Sequence, residues 1–126
     1  MDTAEQLYAR AVSVDPDDWS ARRWLAIALM KKERFDAALV HVDAVLTSFP
    51  DSFPMLKLRA SIEERRGNYS EAAQAMLRAY RVPGNRTSTG LQVLRLWSKA
   101  GETEQIRSLL REDPVLAERW RRKRAQ

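Results

Sequence analysis

Apolar residues recur along this chain at helical spacing, with polar residues between them. In residues 2–14 the apolar positions are Ala4, Leu7, Tyr8, Ala11 and Val12. Similar spacing returns over 17–32, 36–48, 53–66 and 70–81. Steps of three and four residues place the apolar side chains on one face of an α-helix. The pattern therefore predicts an all-α protein.

The pattern is interrupted after residue 82 and then resumes. A Pro-Gly-Asn sequence at 83–85 is typical of a turn. Thr89 and Gln92 fit a capping box, in which the two side chains satisfy the backbone N–H groups that open a helix. The helix that this box opens should run to Ala100 and end at Gly101. The next helix should be short and end before Asp113. A last helix is predicted over 114–124, with a cap followed by proline at its first position.

The apolar pattern also repeats at a fixed step of about 34 residues, a period typical of stacked repeats. The positions that share this step are Ala4, Ala38 and Ala72; Ala11, Val45 and Ala79; Glu33, Gly67 and Gly101; Pro16 and Pro50; and Phe35 and Tyr69. In such stacks each helix pair buries its apolar face against its neighbours. We call this step the repeat period.

At this register the chain resembles the tetratricopeptide repeat family over roughly residues 1–112. The resemblance is clearest in Gly67-Asn68-Tyr69-Ser70-Glu71-Ala72, which is similar to the family's turn between its two helices. It implies a right-handed stack of antiparallel helix pairs with a C-terminal capping helix. It also implies a scaffold or adaptor that binds other proteins, since repeat stacks present extended binding surfaces.

We expect a single domain over residues 1–126, as the chain length suggests. Its expected parts are 1–16, the second helix of a repeat; 17–50 and 51–83, two full repeats; 87–112, a degenerate repeat; and 113–126, a capping helix with a basic tail. The helix in 1–16 lacks the first helix of its repeat, which leaves apolar surface uncovered. Either the chain is a fragment of a longer solenoid, or the exposed side of this helix meets another subunit. Self-assembly through Leu7 and Tyr8 is therefore one alternative function.

The resemblance also implies which residues face a partner, because the first helix of each repeat lines the family's groove. The matching positions are Arg23, Ile27, Met30 and Lys31; Lys57, Ser61, Glu64 and Arg65; and Leu91, Arg95, Ser98 and Lys99. Six of these twelve residues are basic and one is acidic. This bias favours an acidic peptide as the ligand, although a merely solvated helix face would have the same composition.

The net charge of +5 is concentrated near the C-terminus. Much of the excess lies in a basic tail formed by Arg119, Arg121, Arg122, Lys123 and Arg124. Binding of nucleic acid or another anionic surface through this tail is a second alternative, less favoured than the groove. Trp120 could stack on bases, but packing under the last repeat explains it better.

No pattern in the sequence indicates catalysis or a cofactor. The chain has no cysteine and a single histidine, His41, and it contains no phosphate-binding loop, metal-ligand spacing or catalytic triad. It has no apolar run long enough to span a bilayer. A polar N-terminus unlike a signal peptide suggests the cytoplasm if the start is native. The ratio of 17 arginines to 5 lysines hints at a GC-rich bacterial source.

Overall fold

A computed structural model describes residues 3–84 and 87–126 of the chain. These residues form α-helices and connecting turns, with no strand among them. The helices are α1 (Ala4–Val14), α2 (Trp19–Lys31), α3 (Phe35–Ser48), α4 (Phe53–Arg65), α5 (Tyr69–Arg81), α6 (Thr87–Ala100), α7 (Thr103–Glu112) and α8 (Pro114–Ala125). The all-α prediction is confirmed.

The repeat period of the sequence is also the period of the helices. α2, α4 and α6 begin at Trp19, Phe53 and Thr87, which are successive steps of that period. α3, α5 and α7 begin at residues 35, 69 and 103 and keep the same step. The third helix pair thus keeps the register although its sequence departs from the pattern. The division into repeat units drawn from the sequence stays a prediction.

The turn within each helix pair has the same backbone geometry. Its central residues, Glu33, Gly67 and Gly101, have positive φ values of 61, 84 and 76°. The next N–H group, of residues 34, 68 and 102, donates to a carbonyl five residues earlier at 2.9 Å in each case. Such a left-handed residue with a backward hydrogen bond ends a helix and satisfies its last carbonyls.

The prediction that Thr89 caps α6 is wrong. The helix begins two residues earlier, at Thr87, and Thr89 is a buried residue in its first turn. Gln92 instead accepts a hydrogen bond from Nε of Arg95 at 2.8 Å. α6 packs against α5 and α8. Residue 85 of the predicted turn lies outside the described residues.

A continuous apolar core runs along the stack, because each helix packs against the next one in the chain. Small residues lie where the helices touch, and Ala26, Ala38, Ala60 and Ala72 are at most 1% exposed. α2 also contacts α4, so the first helices of successive pairs lie side by side.

α8 closes the C-terminal end of the core. Its Leu116 is fully buried, and the helix packs on both α6 and α7. The Asp113 side chain caps the helix by accepting from the N–H of Leu116 at 3.1 Å. Trp120 is partly buried against the same core, which confirms that it packs under the last repeat. The predicted capping helix is therefore present.

Candidate functional site

The residues predicted to line the groove lie on α2, α4 and α6 and form one surface, here called the first-helix face. Its exposed members are Arg23, Lys31, Lys57, Ser61, Arg65, Ser98 and Lys99, and its half-buried members are Ile27, Met30, Glu64, Leu91 and Arg95. α2 lies against α4, and an ion pair joins α4 to α6. The structure thus places residues from three separate sequence segments next to one another.

Glu64 neutralises part of the positive charge on this face. Both terminal guanidinium nitrogens of Arg95 donate to its carboxylate, at 2.6 and 3.1 Å, and Lys99 Nζ lies 3.4 Å from it. The hydrogen bond from Arg95 is the main cause that holds the pKa of Glu64 below its ordinary value, and it raises the pKa of Arg95. Arg95 and Lys99 are therefore engaged within the protein.

Four other cations on the first-helix face make no ion pair with the described residues: Arg23, Lys31, Lys57 and Arg65. Two of them lie over aromatic rings. Arg23 is 5.3 Å from the Trp24 ring centre, and Lys57 is 5.2 Å from that of Phe53. Such cation–π contacts orient a charge and leave it open to an anion. The available positive charge is thus on α2 and α4.

A cleft between α1 and α2 adjoins this surface. It shares Ile27 and Lys31 with the first-helix face and adds Ala4, Trp24 and Ala28, which the sequence analysis did not assign to a site. Its volume is about 440 Å³, and Ala4, Tyr8, Trp24, Ile27 and Ala28 line its apolar part; we call it the end cleft. The rings of Tyr8 and Trp24 stack with centres 6.4 Å apart. Trp24 is 44% exposed, whereas its counterpart one repeat period later, Leu58, is buried. The sequence signal for uncovered surface at this end was the helix in 1–16, which lacks the first helix of its repeat.

The two residues predicted for self-association do not share a surface. Leu7 is 53% exposed on α1. Tyr8 is half-buried, packs against the core and stacks on Trp24. Consecutive residues on a helix point in different directions, so of these two residues only Leu7 is exposed.

The basic tail forms the end of α8. Its five predicted residues are all exposed. Glu118 pairs with two of them, Arg121 at 2.8 Å and Arg122 at 3.1 Å, and Arg124 lies 6.0 Å from the Trp120 ring centre. Exposed pairs of this kind are weak. Nucleic-acid binding by the tail stays a prediction.

His41 lies away from the first-helix face, on α3. Its Nδ1 is 3.0 Å from a guanidinium nitrogen of Arg22. Burial, and secondarily the charge of Arg22, lowers the pKa of His41. Across residues 3–84 and 87–126, no cluster of three or more His, Asp or Glu side chains could hold a metal ion. No described helix is both long and apolar enough to cross a membrane.

Comparison with known proteins finds several that are similar to this chain. A family model described as tetratricopeptide repeat matches residues 1–62. The "Protein CTR9 homolog" of Arabidopsis thaliana is 32% identical over 109 residues, which are 83% of this chain and 10% of that protein. The chain therefore corresponds to about a tenth of this plant relative.

Among solved structures, "MamA MSR-1 C2" is similar, with a TM-score of 0.69 and 17% sequence identity. The superposition covers 91% of this chain and 66% of that one. At this identity the likeness concerns the fold, and it extends the repeat architecture beyond residue 62 to most of the chain.

Proposed function

Because this chain belongs to the tetratricopeptide repeat family, we propose that it is a non-enzymatic adaptor that binds an acidic, extended segment of another protein. Proteins of this family act in general as scaffolds for protein–protein interaction. The proposed binding surface is the first-helix face, and the proposed ligand is a peptide segment that crosses α2 and α4.

The observation that carries the proposal is the regular placement of the four unpaired cations. Arg23 and Lys57 are one repeat period apart, as are Lys31 and Arg65. Within each helix the two cations are eight residues apart, which is about 12 Å along the axis. Neighbouring helices pack with axes about 8–10 Å apart. The two helices therefore present the same pair of positive charges at equivalent positions of successive repeats.

An acidic extended segment fits this set by spacing and by charge. An extended chain advances about 3.3 Å per residue, so carboxylates three residues apart are separated by about 10 Å. That separation is close to the distance between neighbouring helices. The half-buried Ile27 and Met30 on α2 supply apolar contacts between the charges. The proposed ligand therefore carries acidic residues about three apart, with an apolar residue between them.

A comparison of three baits tests the proposal. The wild-type chain, a Lys57→Glu/Arg65→Glu variant and an Arg107→Glu/Arg111→Glu control would each be used to capture proteins from a nuclease-treated lysate. Both variants have the same charge change, but Arg107 and Arg111 are exposed on α7. We expect proteins that the wild type and the control retain and the α4 variant loses. Retention of the same proteins by all three baits would contradict the proposal.

A further inference from the structure

The connection between α3 and α4 carries an exposed aromatic side chain that the repeat does not require. Phe49 is 50% exposed, and its counterpart one repeat period earlier is Asp15. Two hydrogen bonds hold this connection in place. The N–H of Ser52 donates to the Phe49 carbonyl at 3.1 Å, and a guanidinium nitrogen of Arg78 donates to the Pro50 carbonyl at 2.8 Å. Phe49 is therefore presented to solvent on an ordered turn, which loses little freedom on binding.

Exposed carboxylates lie on the same edge of the stack as Phe49. The connections α1–α2 and α3–α4 have equivalent places in successive repeats, and the ring of Trp19 contacts that of Phe49 edge-on with centres 5.7 Å apart. Asp15 and Asp17 belong to the first connection and Asp51 to the second. All three are exposed, and none makes an ion pair with the described residues. We call these carboxylates together with Phe49 the acidic edge.

A cleft between α7 and α8 has the opposite charge beside an apolar surface. Its volume is about 570 Å³, and the half-buried Leu110, Ala117 and Trp120 form its apolar part. Arg121 and Arg124 also line it, and both are exposed. Arg124 lies over the Trp120 ring and makes no ion pair with the residues that the structure describes. We call this site the tail cleft.

We propose that the tail cleft of one copy of this chain binds the acidic edge of a second copy. Phe49 packs on the apolar part of the cleft, and the carboxylates near it face Arg121 and Arg124. The two surfaces lie on different elements, so one copy can use both, and such a heterologous contact links copies head to tail. No residue of the first-helix face takes part, so this inference does not depend on the adaptor proposal.

The tail cleft favours an occupant that combines an apolar side chain with negative charge. A phosphate backbone would meet the two arginines but would leave Leu110 and Ala117 uncovered. The acidic edge supplies both features, because Asp51 is two residues from Phe49. Complementary charge around a packed apolar centre gives a contact its orientation and its specificity.

The charge distribution of the chain also favours a head-to-tail contact. Residues 1–60 contain 8 basic and 9 acidic side chains, whereas residues 61–126 contain 14 basic and 8 acidic ones. Charges farther apart than about 8 Å are largely screened at physiological ionic strength. The opposite charges at the contact therefore outweigh the repulsion between the net positive charges of two copies.

Sedimentation velocity at several protein concentrations would measure the association, before and after nuclease treatment. We expect the wild type to associate at least about tenfold more weakly when the salt concentration rises from about 0.05 M to about 0.5 M. Phe49→Ser should weaken association at least about tenfold, because it removes the apolar centre of the contact. The matched control is Val40→Ser, which removes an exposed apolar side chain from α3 and should change association less than about twofold.

Mixing two variants would show that the contact joins different surfaces. Phe49→Ser keeps an intact tail cleft, and Arg121→Glu/Arg124→Glu keeps an intact acidic edge. Neither variant should associate alone. Their mixture should form pairs that do not extend further, since each variant has lost one of its two surfaces. Mixing would not restore a contact between two identical surfaces.

Three results would overturn the inference. The first is a wild type that stays monomeric, or association that disappears after nuclease treatment, which would mean that nucleic acid bridges the basic tails. The second is unchanged association of Arg121→Glu/Arg124→Glu, whose exposed positions should leave the fold intact even where Phe49→Ser fails to fold. The third is no pairing in a mixture of variants that circular dichroism shows to be folded.

The variant on α4 separates this inference from the adaptor proposal. Lys57→Glu/Arg65→Glu should associate like the wild type, because both residues lie on the first-helix face. Loss of association in this variant would place the contact on that face and contradict the inference. Unchanged association together with unchanged capture of lysate proteins would contradict the adaptor proposal alone.

Discussion

Glu33 is the residue at which this chain departs most clearly from its own repeat. It has a φ of 61°, in the left-handed region, where the later repeats have Gly67 and Gly101. A side chain in this conformation costs about 1–2 kcal/mol relative to the right-handed one. The turn keeps its geometry because the hydrogen bond from residue 34 to residue 29 closes it as in the other repeats.

Replacing Glu33 by glycine should therefore stabilise the protein. We expect Glu33→Gly to raise the free energy of unfolding by roughly 0.5–1 kcal/mol, because the relief of strain exceeds the added flexibility of the unfolded chain. Urea denaturation would measure it. The control is Lys32→Gly, one residue earlier, where φ is −92° and glycine relieves no strain. An unchanged or lower stability of Glu33→Gly would contradict this account of the turn.

His41 gives the fold a dependence on pH. Its folded pKa is lowered, so the unfolded chain binds a proton more readily than the folded one. The stabilisation is complete above the ordinary histidine pKa of about 6.5 and is lost as the pH falls below that value and through the lower folded pKa. As His41 is the one histidine of the chain, proton NMR should give a pKa below that value.

The matching stability measurement uses His41→Gln. Between pH 7 and pH 5 the wild type should lose more stability than this variant, which lacks the imidazole. A His41 pKa at or above the ordinary value, or identical pH profiles for the two proteins, would refute the assignment.

Among the helices, the contact of α6 with α8 depends on Gly90. A Cβ atom at this position would lie 2.8 Å from Leu116 Cδ2 and 3.1 Å from Tyr80 Cε1. Leu116 is fully buried, and Tyr80 donates a hydrogen bond to Asp113. The helices can approach closely only because residue 90 has no side chain.

A larger residue at position 90 should push α8 away from the stack. We expect Gly90→Val to lower the free energy of unfolding by about 2 kcal/mol, a typical cost of overpacking. Ser88→Val is the control, because Ser88 is exposed on the same helix. Thermal unfolding would compare them, and an equal loss in both variants would mean that the close contact is not limiting.

Most helices were predictable because the repeat period and the apolar spacing can both be read directly from the sequence. The start of α6 was not, since Thr87, Ser88 and Thr89 are all residues that favour a helix start, and the sequence alone does not choose among them. The ion pair of Glu64 with Arg95 was not predictable either. These residues are far apart in sequence, and only the side-by-side placement of α4 and α6 brings them together. The first-helix face therefore has less free positive charge than its composition indicated.

For the assembled stack, Glu64 controls how much positive charge the first-helix face presents. We expect Glu64→Gln to free Arg95 and Lys99 and so strengthen binding of an acidic segment several-fold, at a cost of about 1 kcal/mol in stability. Titration of a captured partner against the wild type and the variant would measure it. The control, Glu104→Gln, removes an exposed carboxylate on α7 that pairs only with Arg107 among the described residues. Equal or weaker binding by Glu64→Gln would contradict the role of charge.

The adaptor proposal is tested most directly by crosslinking from the centre of the first-helix face. A photoreactive amino acid would replace Ser61, which is exposed on α4, and in a second protein Ser108, which is exposed on α7. Mass spectrometry would identify the crosslinked peptides. We predict that position 61 captures a partner through a segment rich in acidic residues and that position 108 does not. Capture only from position 108, or through segments without acidic residues, would contradict the account.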